Sequence, residues 1–136
     1  MQHLETVIGW QRKEWGEDWA SYAHKAIQRD TVPTIFVALI NGQPVGCSML
    51  IEYDMMTRKD LSPWMGGVYV TPEYRQQGIG SALVLHAMEV AAQIGIKRLW
   101  LYTATARHLY ARLGWADVEE AFYDNTTVVI MDYCQN

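Results

Sequence analysis

The sequence predicts a layered α/β protein in which strands of one sheet alternate along the chain with amphipathic helices. Three observations carry this expectation. Runs of β-branched and apolar residues of strand length recur between helical stretches, Asn41-Gly42 separates two of them as a hairpin turn, and a two-glycine loop leads from a strand directly into a helix. The 136 residues, half of them apolar and 19% charged, have an ordinary globular balance and suggest one domain covering 1–136. No internal repeat, low-complexity tract or interdomain linker is visible.

From Leu4 to about Trp15 the apolar residues Leu4, Val7, Ile8, Trp10 and Trp15 suggest a helix that Gly16 would end. A second is expected over Ser21 to Arg29, where Trp19, Tyr22, Ala23, Ala26 and Ile27 form one apolar stripe. The aromatic density here could line a cleft or cover the sheet. Pro33 closes the helical region. Thr34 to Ile40 reads as a buried strand, and Pro44 to Tyr53 as its antiparallel return. Asp54 to Pro63 is polar and ends in proline, so a loop is expected. Trp64 to Val70 is the next strand, and Gly66-Gly67 within it favours a bulge or the close approach of another backbone.

Pro72 cannot extend a ladder because it has no N–H to donate. Beyond it, Ile79, Leu83, Ala87, Val90, Ala91 and Ile94 make one face of a helix, with His86, Glu89 and Gln93 opposite and Gly95 as the stop. Leu99 to Tyr102 is a short strand, and Ala104 to Leu113 a short helix ended by Gly114. Two strands, Trp115 to Tyr123 and Thr126 to Tyr133, complete the chain around a turn at Asp124-Asn125.

The loop before the long helix carries the first chemical signal. The opening amides of a helix have no intrahelical partners, and its dipole places partial positive charge there. Gly78 and Gly80 allow a ligand close to the backbone and Arg75 adds a cation, so a pyrophosphate is the natural guest. Neither the P-loop pattern nor the Gly-x-Gly-x-x-Gly dinucleotide fingerprint is met, since Ala82 and Leu83 follow Gly80.

Arg75-x-x-Gly78-x-Gly80, preceded by Val68-Tyr69-Val70-Thr71-Pro72-Glu73-Tyr74, resembles the acetyl-coenzyme A motif of the GNAT N-acetyltransferase superfamily. The resemblance implies a mixed, mostly antiparallel sheet flanked by helices. It implies that Val68, Tyr69 and Val70 pair with the pantetheine arm where their strand diverges from its neighbour, and that Arg75, Gln76, Gln77, Gly78, Ile79, Gly80 and Ser81 wrap the pyrophosphate. It also implies polarisation of the thioester carbonyl by the Val70 N–H. Family members usually begin with a strand, for which little room exists ahead of Leu4.

Ala106-x-x-Leu109-Tyr110-x-x-x-Gly114-Trp115 is similar to a second signature of the same family, in which the tyrosine protonates the leaving thiolate in many members. Tyr110 is therefore the candidate acid; a phenol is well matched to a thiol. A core role on the apolar stripe is the alternative. Seven residues earlier, where the family often has Asn, stands Thr103, which places a cofactor contact there in question. For the base, Glu52 and Asp54 alternate with Tyr53, so as strand residues they would share a face. Both could equally be solvated. Glu14, Glu17, Asp18 and Asp60 could attract a cationic acceptor, while His86 and His108 read as polar surface residues.

The function expected is direct acetyl transfer from acetyl-coenzyme A to a primary amine of a small metabolite. Alternatives are a protein or peptide amine as acceptor, or a non-catalytic coenzyme A sensor that keeps the loop without the chemistry. The net charge of −4 argues against a nucleic-acid partner and suits a cationic substrate. Cys47 and Cys134 form no Cys-x-x-Cys pair, no metal signature appears, and the longest apolar run, Ile35 to Ile40, is too short to cross a membrane. A cytoplasmic location is expected, with a homodimer through the late strands as an option the family permits.

Overall fold

The computed structural model describes residues 34–135 and, ahead of them, Thr6 alone. The two expected N-terminal helices, the question of a preceding strand, and the acids Glu14, Glu17 and Asp18 lie outside the described residues. Six strands form one sheet: β1 (Thr34–Ile40), β2 (Gln43–Ile51), β3 (Trp64–Val70), β4 (Arg98–Thr103), β5 (Ala116–Tyr123) and β6 (Thr126–Cys134). Their spatial order is β1-β2-β3-β4-β6-β5, antiparallel throughout except for β3 against β4. That parallel pair needs a crossover, which α1 (Ile79–Gln93) supplies after a short 3-10 turn at Pro72–Tyr74. A shorter helix, α2 (Arg107–Arg112), links β4 to β5.

Two-residue turns close both hairpins. Asn41 and Gly42 in the first, and Asp124 and Asn125 in the second, all have positive φ, the geometry whose twist matches the strands it joins. Both helices end on a glycine in the left-handed region. The Ile96 N–H reaches Ala91 O at 2.9 Å beyond Gly95, and the Trp115 N–H reaches Tyr110 O at 3.1 Å beyond Gly114, so each terminal carbonyl is satisfied.

Alternation along β2 divides the core in two. Leu50 faces α1 with Met65, Leu99, Leu101 and Met131, and receives the helix residues Leu83, Val84, Ala87, Met88 and Ala91. Cys47, Met49 and Ile51 turn the other way, with Trp64, Trp100 and Ile130. Each fully buried side chain of this size contributes about 1.5–3 kcal/mol. The helix stripe is wider than expected, because Val84 and Met88 are buried as well. Gly46 shows how closely the layers approach: a Cβ there would lie 2.8 Å from Tyr69 O and 3.0 Å from Leu83 Cδ1.

Two irregularities in β3 prepare the site. Cys47 pairs with Tyr69 and Met49 with Gly66, so two residues of β3, Gly67 and Val68, oppose Ser48 alone on β2; Gly67, with φ +61°, takes up the bulge. The Cys47 thiol donates to Gly67 O at 3.4 Å. On the other side, β3 meets β4 in register only at Trp64 and Trp100, reinforced by the Trp100 N–H donating to Pro63 O at 3.1 Å. Beyond that point the two strands part.

Candidate active site

A cavity of about 370 Å³ occupies the opening between β3 and β4. Its walls come from the bulged segment Gly66, Gly67 and Val68, from β4 and the turn after it, and from Tyr110 on α2. The loop after β2 contributes Asp54, and the β5–β6 hairpin contributes Tyr123 and Asp124.

Asp54 reaches the cavity by a route that strand periodicity does not predict. β2 ends at Ile51 opposite Trp64, and the residue before Trp64 is Pro63, which has no N–H to continue the ladder. Glu52 and Asp54 are therefore not strand residues sharing a face. Glu52 is exposed and absent from the cavity wall, while its backbone carbonyl accepts the Ser62 hydroxyl at 2.6 Å. Asp54 folds back against Gly66. A Cβ on Gly66 would lie 2.6 Å from Asp54 Oδ2, so only glycine seats this carboxylate.

Part of the Asp54 side chain is held out of water. Its Oδ1 is buried and has no hydrogen-bond partner among the described residues, and burial pushes its pKa up to about 7. Tyr110 is also buried, edge-on to Trp115, and its phenol is pushed up to about 12 by burial first and by the Asp54 charge second. Tyr102 is raised too, by burial and then by the charges of Asp54, Tyr123 and Asp124. At neutral pH the cavity thus holds a protonated phenol as donor and a carboxylate poised near its titration point.

The loop bearing Asp54 is tied to the last hairpin. The Met56 N–H donates to Tyr123 Oη at 3.3 Å, and Arg58 bridges Asp60 at 3.0 Å and Glu119 at 2.6 Å. Asp60, a candidate for attracting an acceptor, is thereby engaged with Arg58. His86 lies exposed, edge-on to Phe36, and His108 is exposed on α2, as surface residues.

Thr103 lines the cavity, and its Oγ1 accepts the N–H groups of Ala106 at 2.9 Å and Thr105 at 3.3 Å. It shapes the turn that delivers Tyr110. This also shortens the helix, which begins at Arg107 rather than at Ala104.

At the far end of β3, the loop 75–78 has extended backbone at Arg75 and left-handed backbone at Gln76, with φ +64°, and Gly78, with φ +86°. Gln76, Gln77 and Gly78 are exposed, and Ile79, Gly80 and Ser81 form the first turn of α1, which has no side-chain cap. Successive backbone N–H groups in a conformation of this kind can form an anion-binding concavity. Arg75 is anchored, its Nε donating to Val70 O at 2.8 Å and its guanidinium lying over the Tyr69 ring. Tyr69 itself is buried on the face away from α1, Val70 ends the strand, and Val68 is the half-buried residue of the three that meets the cavity.

Gly80 is informative by what it does not touch. A Cβ there would make ordinary contact with Val70 Cγ2 at 3.8 Å and nothing closer, so the protein's own packing does not require glycine in this helical turn. Gln76, Gln77, Gly78 and Gly80 thus fit a pyrophosphate brought close to the backbone.

Periodicity overlooked Tyr102, Tyr123 and Asp124. Tyr102 stands beside Thr103, a usable signal. Nothing local to Tyr123 or Asp124 places their hairpin beside the 54–56 loop.

Comparison with known proteins bears on this arrangement. Residues 4–115 match the model of the acetyltransferase (GNAT) family. An uncharacterised N-acetyltransferase of Methanocaldococcus jannaschii is 29% identical over 110 residues, covering 74% of this chain and 47% of that protein. The thialysine N-epsilon-acetyltransferase of Bos taurus is 36% identical over 88 residues, 59% of this chain and 52% of that protein. The chain thus spans about half the length of these curated relatives. Among solved structures, an aminoglycoside 6'-N-acetyltransferase complexed with coenzyme A superposes with a TM-score of 0.76 at 15% identity, covering 96% of this chain and 89% of that one. N-acetylglutamate synthase of Neisseria gonorrhoeae, complexed with coenzyme A and N-acetylglutamate, gives 0.71 at 16% identity, covering 98% and 32%. These two share the fold.

Proposed function

The chain belongs to the GNAT acetyltransferase family, and from that premise we propose that it transfers acetyl from acetyl-coenzyme A directly to the primary amine of a small metabolite. The observation that carries this reading is the meeting in one cavity of Tyr110 and the Asp54 carboxylate, whose Oδ1 has no hydrogen-bond partner among the described residues, at the opening of a parallel strand pair that runs up to an uncapped helix. The thialysine and aminoglycoside enzymes are named for amine acceptors, which supports an amine here.

Acetyl-coenzyme A would supply the activated acyl group as a thioester. The loop amides from Gln76 to Ser81 would hold its pyrophosphate, and the backbone of Val68 to Val70 its pantetheine arm, with the Val70 N–H directed at the carbonyl. Asp54 takes a proton from the acceptor ammonium, freeing the nitrogen lone pair. As the C–N bond forms and the C–S bond breaks, Tyr110 Oη gives its proton to sulfur. The second proton shed by the nitrogen, as the amide forms, restores the phenol. Neither cysteine enters this sequence, since Cys47 is buried against Gly67 O and Cys134 is exposed outside the cavity. Holding both reactants in one cleft supplies much of the acceleration.

Calorimetric titration with acetyl-coenzyme A, on the native protein and on Gly80→Glu, tests the cofactor site. Binding that vanishes in the folded variant supports it, and absence of binding to the native protein overturns it. A screen of amines for release of free thiol then separates an acetyltransferase from a coenzyme A binder without turnover.

A further inference from the structure

Resting on that reading, we propose that the acceptor is a dication: a compact amine whose reacting ammonium meets Asp54 while a second positive group is held by Asp124 at the cavity mouth. The wall of the cavity carries two carboxylates, Asp54 and Asp124, and no lysine, arginine or histidine among the described residues. Four other acids are already matched. Arg58 engages Asp60 and Glu119, Arg107 engages Asp117, and Arg98 engages Asp132, whereas neither Asp54 nor Asp124 forms an ion pair among the described residues.

The Oδ1 of Asp54 is buried and has no hydrogen-bond partner among the described residues, so the protein leaves this carboxylate without the compensation that a buried charge ordinarily needs. Between the two acids stand Tyr102 and Tyr123, their rings edge to face at 5.5 Å, and the Tyr102 phenol feels both carboxylate charges. Such a wall accommodates methylenes and the face of a cation. Asp124 is exposed in a two-residue turn with φ +54°, a position asparagine fills equally well. The fold therefore asks for the backbone shape at this place and not for the charge.

The test compares diaminobutane with aminobutanol, which replaces one ammonium by a neutral hydroxyl at the same length. Thiol release would be followed in native protein and in Asp124→Asn at low ionic strength. The native protein is expected to favour the diamine about tenfold in kcat/KM, above the twofold that two equivalent amines give by chance. In Asp124→Asn the preference should collapse to that twofold, through KM rather than kcat. Added salt should shrink it in the native protein, since Asp124 is exposed. Turnover of both amines without preference, or a preference that survives in Asp124→Asn, would overturn the dication proposal and leave acetyl transfer standing. No thiol release from either amine, with acetyl-coenzyme A still bound, would overturn the dication proposal, and acetyl transfer itself falls if the wider screen of amines also releases no thiol.

Discussion

The cavity and the loop before α1 are built by opposite means. At the loop before α1 the distinctive features belong to the main chain: left-handed backbone at Gln76 and Gly78 leads into a first helical turn without a side-chain cap. In the cavity they belong to side chains. Asp54, Tyr102, Tyr123 and Asp124 come from three separate segments and depend on a tether through Met56 and Arg58. A backbone site tolerates changes in its side chains so long as φ and space are preserved. A side-chain site fails when one group is lost or displaced.

The largest effect should come from the side-chain end. Asp54→Asn is expected to lower kcat/KM on the order of a hundredfold or more, as loss of a general base does, with little change in acetyl-coenzyme A affinity by calorimetry. The same substitution should affect stability in a pH-dependent way. The native pKa of about 7 lies above the ordinary carboxylate value of 3.8, so the folded state holds a proton that the unfolded chain has released between those values. Stability from this group is therefore complete below about 4 and lost as pH rises through 7. Thermal melts should show Asp54→Asn gaining on the native protein from pH 4 to pH 8; a constant difference would place the carboxylate in solvent.

Tyr110→Phe comes next, with an expected fall in kcat of about tenfold to a hundredfold and an unchanged dissociation constant for acetyl-coenzyme A. Equal turnover in the folded variant would reduce Tyr110 to its packing against Trp115. At the backbone end, Gly80→Ala should weaken acetyl-coenzyme A binding by about tenfold while raising the stability of the unliganded protein by up to about 1 kcal/mol, since alanine is the better helix residue and its Cβ has room. Unaltered binding would mean that no ligand approaches that face. The smallest effect is expected for Arg58→Ala, which frees the loop from Glu119: a few-fold loss in kcat/KM with the melting temperature nearly unchanged, because exposed ion pairs stabilise little.

Where the information was local, the sequence was readable. Asn41-Gly42, Gly95 and Gly114 each announce a positive φ that the structure contains, and Gly66-Gly67 announces the bulge. In the loop from Arg75 to Ser81, Gly78 likewise coincides with a positive φ and Gly80 lies in the first turn of the helix. Glu52 and Asp54 show where such reading fails. Their alternation implies a shared face, but the ladder stops opposite Trp64, and one acid goes to solvent while the other is buried against Gly66.

By itself, then, the chain's sequence determined the strands, the long crossover helix, the glycine-marked turns and the two-glycine loop that opens the helix, because all of these depend on backbone preferences within a few residues. Only the tertiary structure decided which carboxylate enters the cavity and which hairpin faces it. Inserting β6 between β4 and β5 places Asp124 and Tyr123 across from a loop some seventy positions earlier, and no local pattern encodes that proximity.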